Sequence, residues 1–190
     1  MEKPDRFWDW LARWYDRRAH RDDELNRAAA RLGKVLDADD TVLDYGCASG
    51  VVACRIAADV KEVRGIDTSA RMIELANERA SERDLENVHF ARTTIFDEEL
   101  VSGTYDVVLA FHILHLLGDA SAALRRISEL LRPGGLLVSV TPAGEAGRIL
   151  RVLGSFVLRV GLPYLSSAEG SDSGSRSSAR RTREPYSTSP

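Results

Sequence analysis

Short apolar runs alternate with helical patterns along most of the chain. Each run has five to seven residues and is rich in valine, leucine or isoleucine. Strands of this kind, separated by amphipathic helices, are typical of a parallel sheet covered by helices on both faces. The predicted strands are residues 41–45, 62–67, 87–92, 105–111 and 135–141.

The segments between these runs have helical periodicity and recognisable ends. Ser69 and Asp119 stand where N-cap residues accept hydrogen bonds from helix amides. Arg132, Pro133 and two glycines follow the last of these segments, a combination that stops a helix and turns the chain. The pattern predicts an α/β domain whose sheet lies between two helical layers. The predicted helices are residues 50–59, 69–83 and 119–131.

Length and composition fit a single domain of this class. The chain has 190 residues, of which 44% are hydrophobic, and this is enough to bury a sizeable core. Its formal net charge of −3 gives no uniformly basic surface for phosphates. Nucleic acid is therefore not an expected partner.

The sequence also favours a reducing, cytoplasmic setting. The amino terminus is charged and lacks the apolar core of a signal peptide. No stretch is long enough to span a bilayer. The cysteines, Cys47 and Cys54, are too far apart for C-x-x-C chemistry and too few for a disulfide framework.

Three regions are predicted along the chain. Residues 1–40 form an amphipathic helical cap, residues 41–165 form the α/β domain, and residues 166–190 form a tail rich in serine and arginine. The tail has too few apolar residues to offset the entropy of ordering it, so we expect it to be disordered.

The string VLDYGCASG is the most informative part of the sequence. A buried strand runs through Asp44 into Gly46, Ala48 and Gly50, and a helix begins directly afterwards. Small residues let the backbone turn tightly and approach a ligand. A dinucleotide fingerprint needs glycines where this chain has Ala48 and Val51. Because Asp44 would repel a pyrophosphate and attract a sulfonium or ammonium group, we expect a cationic ligand.

This turn resembles the D-x-G-x-G-x-G motif of class I S-adenosylmethionine-dependent methyltransferases, with Ala48 in place of the middle glycine. The resemblance implies that Asp44, Gly46, Ala48 and Gly50 surround the methionine part of S-adenosyl-L-methionine. A turn that serves only to pack strand against helix is the alternative interpretation.

The second strand ends at Asp67, whose two carboxylate oxygens can accept hydrogen bonds from the hydroxyls of a ribose. Nicotinamide enzymes use the same arrangement, so Asp67 alone does not discriminate between cofactors. The following D-x-S-x-x-M-I pattern is similar to that of the family, and it implies that Asp67 holds the ribose and that Met72 lies near the adenine. An ordinary core methionine is the alternative for Met72.

The loop after the third strand departs from the family pattern. Many relatives carry an acid that accepts from the adenine amino group where this chain has Thr94. A threonine accepts a hydrogen bond without charge assistance. We therefore expect adenine recognition to rest on the Ile95 backbone amide and apolar walls. Asp97 is interpreted as a solvated loop acid.

The fourth-strand segment YDVVLAFHILHLL is also similar to that of the family. The resemblance implies that the backbone at Ala110 and Phe111 borders the methionine moiety and that His112 and His115 lie near the methyl-acceptor pocket. A neutral histidine could remove a proton from a hydroxyl acceptor. Because positioning and desolvation can supply much of the rate, packing or hydrogen bonding is the alternative role for each histidine.

The amino-terminal string FWDWLARWYDRR resembles the start of many small-molecule methyltransferases, in which a short helix closes over the cofactor. The resemblance places Tyr15 near the carboxylate of the cofactor. A structural amphipathic face explains the same spacing of apolar residues.

The resemblance covers approximately residues 5–165 and implies a Rossmann-like sheet with strand order 3-2-1-4-5. Residues 148–164 have an amphipathic pattern and resemble the family's next helical region. The helix and two strands that usually follow are not visible in the sequence, and a shift of reading frame is one hypothesis for the tail. We expect the edge of the fifth strand to be unpaired.

These observations predict a methyltransferase that uses S-adenosyl-L-methionine and acts on a small organic acceptor. One alternative is a module that binds the cofactor but transfers no methyl group, because the usual last strands are missing. Another is a nicotinamide-dependent oxidoreductase, which the residues of the glycine turn disfavour. No metal site is predicted, and the oligomeric state is not legible.

Overall fold

The computed structural model describes residues 5–19, 23–140 and 156–159, and a six-stranded sheet forms the centre of this part. Its strands are β1 (Thr41–Tyr45), β2 (Glu62–Asp67), β3 (Val88–Arg92), β4 (Tyr105–Phe111), β5 (Leu131–Val140) and β6 (Phe156–Arg159). The strand order is β3-β2-β1-β4-β5-β6. The five strands from β1 to β5 are parallel, which confirms the predicted order 3-2-1-4-5.

Helices connect the parallel strands and precede the first of them. They are α1 (Asp5–Ala19), α2 (Asp23–Leu32), α3 (Val51–Ile56), α4 (Ala70–Ser81) and α5 (Ala120–Leu130). The predicted N-caps are confirmed: the Ser69 side chain accepts from the Met72 amide, and the Asp119 side chain accepts from the Ala122 amide. None of the helices in the described ranges has the length and apolar character needed to cross a membrane.

The strand β5 begins four residues earlier than the sequence pattern indicates. Leu131 already pairs with Tyr105, and the register then shifts before Val107 pairs with Leu136. The predicted third helix correspondingly ends at Leu130. The sequence pattern missed this pairing because the residues between Leu131 and Leu136 include a proline and two glycines, which indicate a turn and show no strand periodicity.

Alternate residues of the sheet face two separate cores. Val42 belongs to a cluster that includes Val52 and Ile56 of α3, whereas Leu43 belongs to a cluster that includes Ile127 of α5. This two-sided burial explains why the strands read as continuous apolar runs. It also leaves the carboxyl ends of the strands as the edge where polar residues can meet a ligand.

The carboxyl-terminal part of the sheet differs from the expectation. The helical pattern assigned to residues 148–164 is wrong for residues 156–159, which form β6 and pair antiparallel with β5 from Leu136 to Ser139. The expected unpaired edge of β5 is therefore covered at these positions. An extended, apolar FVLR segment suits the exposed amides and carbonyls of a strand edge. The predicted disordered tail, residues 166–190, lies outside the described residues.

Candidate functional site

The turn after β1 has a backbone conformation that favours glycine. Gly46, Ala48 and Gly50 have φ values of 75°, 47° and 71°. A Cβ atom added to Gly46 would lie 3.0 Å from Ile113, and one added to Gly50 would lie 2.7 Å from Phe90. The turn therefore needs glycine at these two positions for both conformation and space.

Ala48 carries the strain of this turn, because it occupies a left-handed conformation without being glycine. We expect Ala48→Gly to raise the free energy of unfolding by about 0.5–1 kcal/mol, since relief of the strain exceeds the added chain entropy. Urea denaturation measures the change. The control is Ala30→Gly on the exposed face of α2, where the same substitution should lower stability by about 1 kcal/mol. A loss of stability in both variants would contradict the strain argument.

A small cavity lies against this turn. Tyr15 reaches it from α1, Phe111 reaches it from the end of β4, and the turn itself supplies most of the wall. The lining residues are Tyr15, Ala19, Asp44, Gly46, Cys47, Ala48, Ser49, Val51, Val52 and Phe111. A second depression shares none of these residues, and none of its lining residues is among the described residues with a buried polar atom that lacks a partner. It is lined by Ala29, Ala30, Gly33, Arg55 and Asp59.

Asp44 is the chemically distinctive residue of the cavity wall. It is 2% exposed, and its Oδ2 atom has no hydrogen-bond partner among the described residues. Burial, and secondarily the negative charge of Asp67, raise the pKa of Asp44 to about 7, although the Ala53 backbone amide lowers it. The Ser49 hydroxyl of the same wall is also buried without a partner in the described part of the chain. Such groups require a ligand or water to satisfy them.

Asp67, the last residue of β2, also forms a hydrogen bond with the glycine turn. Its Oδ2 accepts from the Ala48 amide at 3.0 Å, and its Oδ1 accepts from the Ser69 amide at 2.9 Å. An ionised carboxylate offers about four lone-pair positions, and these two bonds occupy two of them. The sequence predicted the ribose role and missed the bond to Ala48, which joins residues 19 positions apart.

Met72 is 2% exposed on α4 and is not part of the cavity wall. Its backbone amide donates to the Ser69 hydroxyl at 3.1 Å. The structure thus places its side chain in the core, and a role beside the adenine stays a prediction.

The loop after β3 is folded by its own side chains. The exposed Thr94 accepts from the Phe96 amide at 3.3 Å, and Ile95 is fully buried. Asp97 is a half-exposed loop acid, and its carboxylate also accepts from the Thr93 hydroxyl and, at 2.9 Å, from the Glu99 amide, two bonds that the sequence did not reveal. The hydrogen bond from Thr93 is the main reason that the pKa of Asp97 is lowered.

Arg126 of α5 binds this loop through its guanidinium group, a role that the sequence pattern did not reveal. Its guanidinium donates to the carbonyl oxygens of Ile95 at 3.3 Å, Asp97 at 3.3 Å and Leu100 at 2.8 Å. Its side chain is only 18% exposed. One cation therefore satisfies several carbonyls of the loop that carries Thr94 and Ile95.

We expect Arg126→Ala to lower the free energy of unfolding by about 2–3 kcal/mol, because three carbonyls lose a charged donor. The affinity for an adenine-containing ligand should fall as well. Urea denaturation and calorimetric titration measure the two effects. Arg125→Ala, at the exposed neighbouring position, should change neither quantity measurably. Equal behaviour of the two variants would show that Arg126 does not position the loop.

His112 follows β4 in a strained conformation. Its φ is 54°, its amide donates to the Val140 carbonyl at 2.8 Å, and its Nε2 atom is buried without a partner among the described residues. The neighbouring Ile113 packs under Gly46, which places this segment beside the glycine turn. A strained residue with an unsatisfied nitrogen is typical of a functional site.

His115 lies one short turn later and is exposed. Partial burial, and secondarily the proximity of His112, lower the pKa of His115. Ala110, the other fourth-strand residue of the prediction, is fully buried, and its carbonyl accepts from the Ser139 hydroxyl at 3.2 Å. The structure therefore brings both histidines and Phe111 to the carboxyl end of β4, next to β1.

Two acids clasp α1 to α4. Asp9 accepts from the Ser69 hydroxyl at 2.5 Å and from the Arg71 amide at 3.2 Å. Both bonds lower the pKa of Asp9, and the bond from Ser69 has the larger effect. Asp16 pairs with Arg79 at 2.5 Å. These contacts hold α1 in the position from which Tyr15 lines the cavity. The sequence contained a signal for them, because both acids share one helical face with the buried alanines of α1.

The comparisons with known proteins agree with this geometry. A family model described as a methyltransferase domain matches residues 36–155. The chain belongs to the class I S-adenosylmethionine-dependent methyltransferases. The match includes the glycine turn, Asp67 and both histidines.

Two curated relatives are named for the reactions that they catalyse. The chain is 33% identical over 152 residues to 27-O-demethylrifamycin SV methyltransferase of Amycolatopsis mediterranei, covering 73% of this chain and 56% of that protein. It is 30% identical over 111 residues to ubiquinone biosynthesis O-methyltransferase of Serratia proteamaculans, covering 58% of this chain and 45% of that protein. The chain thus spans about half the length of the curated relatives it matches.

A solved structure supports the same family. The YcgJ protein of Bacillus subtilis superposes with a TM-score of 0.58 and 25% identity, over 61% of this chain and 50% of that one. The Rossmann-like arrangement of the methyltransferase is therefore shared with a protein of known structure.

Proposed function

We propose that this methyltransferase binds S-adenosyl-L-methionine in the cavity beneath α1 and transfers its methyl group to a small organic acceptor. The observation that carries the proposal is the buried Asp44 carboxyl, whose Oδ2 lacks a partner among the described residues. A buried acid of this kind is stabilised by a cation, and S-adenosyl-L-methionine carries an ammonium and a sulfonium group.

Different residues around the cavity would bind different parts of the cofactor. Asp44 would hold the ammonium group, and the turn from Gly46 to Gly50 would enclose the methionine part. Tyr15 closes the cavity from α1. Asp67 would accept from the ribose hydroxyls, and the loop that Arg126 positions would border the adenine through Thr94 and Ile95. When bound, the cofactor supplies an electrophilic methyl group.

The acceptor is proposed to be small because the two relatives named above are a 27-O-demethylrifamycin SV methyltransferase and a ubiquinone biosynthesis O-methyltransferase. Both names specify transfer to oxygen. A hydroxyl acceptor must lose its proton, and His112 and His115 are the bases nearest to the end of β4. The lowered pKa of His115 keeps its imidazole neutral and able to accept a proton near neutral pH.

Calorimetric titration with S-adenosyl-L-methionine, its demethylated product and NAD tests the cofactor assignment. We expect saturable binding of the first two and none of NAD. Binding of NAD alone would replace the proposal with an oxidoreductase. Binding of S-adenosyl-L-methionine without methyl transfer to any of a panel of phenols and alcohols would favour the binding module instead.

Histidine variants test the proposed base. Asparagine tolerates the left-handed conformation of residue 112, so His112→Asn removes the imidazole with little added strain. If His112 is the base, kcat should fall about 10²–10⁴-fold. His115→Gln is the matched variant for the second histidine. Unchanged kcat in the double variant would show that neither is a base.

The cytoplasmic location stays a prediction from the sequence.

A further inference from the structure

The outer face of α1 combines exposed indoles with exposed arginines. Trp10 is 79% exposed and Trp14 is 51% exposed. Arg13 and Arg17 are also exposed. These positions are spaced three and four residues apart, so they form one stripe along the helix. We refer to Trp10, Arg13, Trp14 and Arg17 as the outer stripe.

The acids of α1 whose side chains the structure describes are engaged with α4. Asp9 and Asp16 are the only acidic side chains that the structure describes in α1, and both bind α4 through Ser69, Arg71 and Arg79. Tyr15 lines the cavity on another side of the helix. These bonds thus hold Asp9 and Asp16 towards α4, while the exposed arginines and tryptophans of the outer stripe form a cationic, aromatic face.

We propose that the outer stripe docks on the surface of an anionic lipid bilayer, with α1 lying in the plane of the interface. Indole rings favour the headgroup level of a membrane, and arginines on the polar side bind anionic headgroups. No cofactor is needed for this contact, so it goes beyond the proposed methyl transfer and can fail independently of it.

Charge favours this occupant over a second copy of the chain. A symmetric dimer through the outer stripe would bring two copies of Arg13 and Arg17 into one interface, and the repulsion among four cations close together opposes association. An anionic bilayer instead supplies both the complementary charge and an apolar layer for Trp10 and Trp14. Nucleic acid is the other polyanion that arginine and tryptophan can bind, and the test below includes it.

All three tryptophans of the chain, Trp8, Trp10 and Trp14, lie in α1. Tryptophan fluorescence of the full chain therefore reports on this helix alone. We expect a blue shift on adding vesicles of phosphatidylglycerol at low salt and none with phosphatidylcholine. The shift should be lost in about 1 M salt, where charges are screened within a few ångströms. Absence of a shift with phosphatidylglycerol would overturn the proposal.

Variants locate the contact, measured by vesicle co-sedimentation. R13E/R17E should weaken partitioning at least about 25-fold, roughly fivefold for each arginine. W10S/W14S should weaken it as well. The matched control, R83E/R125E, reverses two exposed charges elsewhere and should bind as the wild type does. Circular dichroism checks folding, and R13Q/R17Q replaces any reversed variant that fails to fold.

Three results would contradict the proposal. Equal binding of R13E/R17E and R83E/R125E would show that charge acts without regard to position. Tight binding of single-stranded RNA that outcompetes vesicles would make the stripe a nucleic-acid surface. Dimerisation in sedimentation velocity that the W10S/W14S variant abolishes would assign the stripe to a second copy. Binding restricted to anionic vesicles and lost with the stripe would support the bilayer.

Discussion

The dissociation constant for S-adenosyl-L-methionine will fall about tenfold for each pH unit between about pH 5.5 and 7, and will level off above pH 7. The cause is Asp44, whose pKa is raised to about 7 by burial and by the charge of Asp67. The cationic ligand prefers the ionised carboxylate. Below the pKa, binding must therefore release a proton from Asp44, and each pH unit adds about 1.4 kcal/mol to this cost.

The same group sets an opposite trend for the stability of the ligand-free protein. The pKa of Asp44 is about 7 in the folded chain and 3.8 in its ordinary state, so the folded state binds more protons between these values. The contribution of Asp44 to the free energy of unfolding is therefore greatest at and below about pH 4, and it falls as the pH rises towards 7. The loss is on the order of 4 kcal/mol over that range.

Asp44→Asn separates these effects from other titrations. The variant keeps the shape of the side chain and removes its charge, so both pH trends should flatten and the affinity above pH 7 should fall. Calorimetry in two buffers of different ionisation enthalpy detects the released proton. A wild-type affinity that does not change between about pH 6 and 8 would show that Asp44 is ionised in the free protein or does not contact the cation.

Replacing Asp67 should have the second large effect. Asp67→Ala removes the acceptor of the Ala48 and Ser69 amides together with the proposed ribose contact. We expect affinity for S-adenosyl-L-methionine to weaken about 10²–10³-fold, equivalent to roughly 3–4 kcal/mol. The free energy of unfolding should fall by about 2 kcal/mol, because two buried or half-buried amides lose a charged acceptor.

Asp119→Ala is the matched control for this variant. The Asp119 side chain also accepts a hydrogen bond from a backbone amide, that of Ala122 at 2.8 Å. It caps α5, however, and is not part of the cavity wall. Its loss should cost about 1 kcal/mol of stability and leave cofactor affinity unchanged. The Asp67 assignment would be wrong if the two variants bound S-adenosyl-L-methionine equally well in calorimetric titration.

The clasp of α1 connects the two proposals. Asp9 and Asp16 hold α1 on α4, which presents Tyr15 to the cavity and the outer stripe to the surroundings. A contact made on the outer stripe therefore acts on the helix that closes the proposed cofactor cavity. Ser69 connects these contacts to the cavity, because its side chain caps α4 and its own backbone amide donates to the Asp67 carboxylate at 2.9 Å.

The sequence by itself determined the parallel sheet and the position of the glycine turn. Local signals were sufficient for these features because apolar runs, N-caps and glycines report on backbone conformation within a few residues, whereas the strand order came from the family resemblance. Three predicted strands, at residues 41–45, 62–67 and 105–111, match the structure to the residue. The positions of Asp44, Gly46 and Gly50 followed from the same signals.

Only the tertiary structure decided which distant groups satisfy one another. The bonds of Arg126 to the loop after β3, of Asp67 to Ala48 and of Asp9 to Ser69 join residues that are 19 to 60 positions apart. The antiparallel pairing of β6 with β5 is of the same kind. Such contacts leave no periodic trace in the sequence, because their geometry depends on how strands and helices are stacked. The raised pKa of Asp44 likewise depends on burial that the assembled layers create.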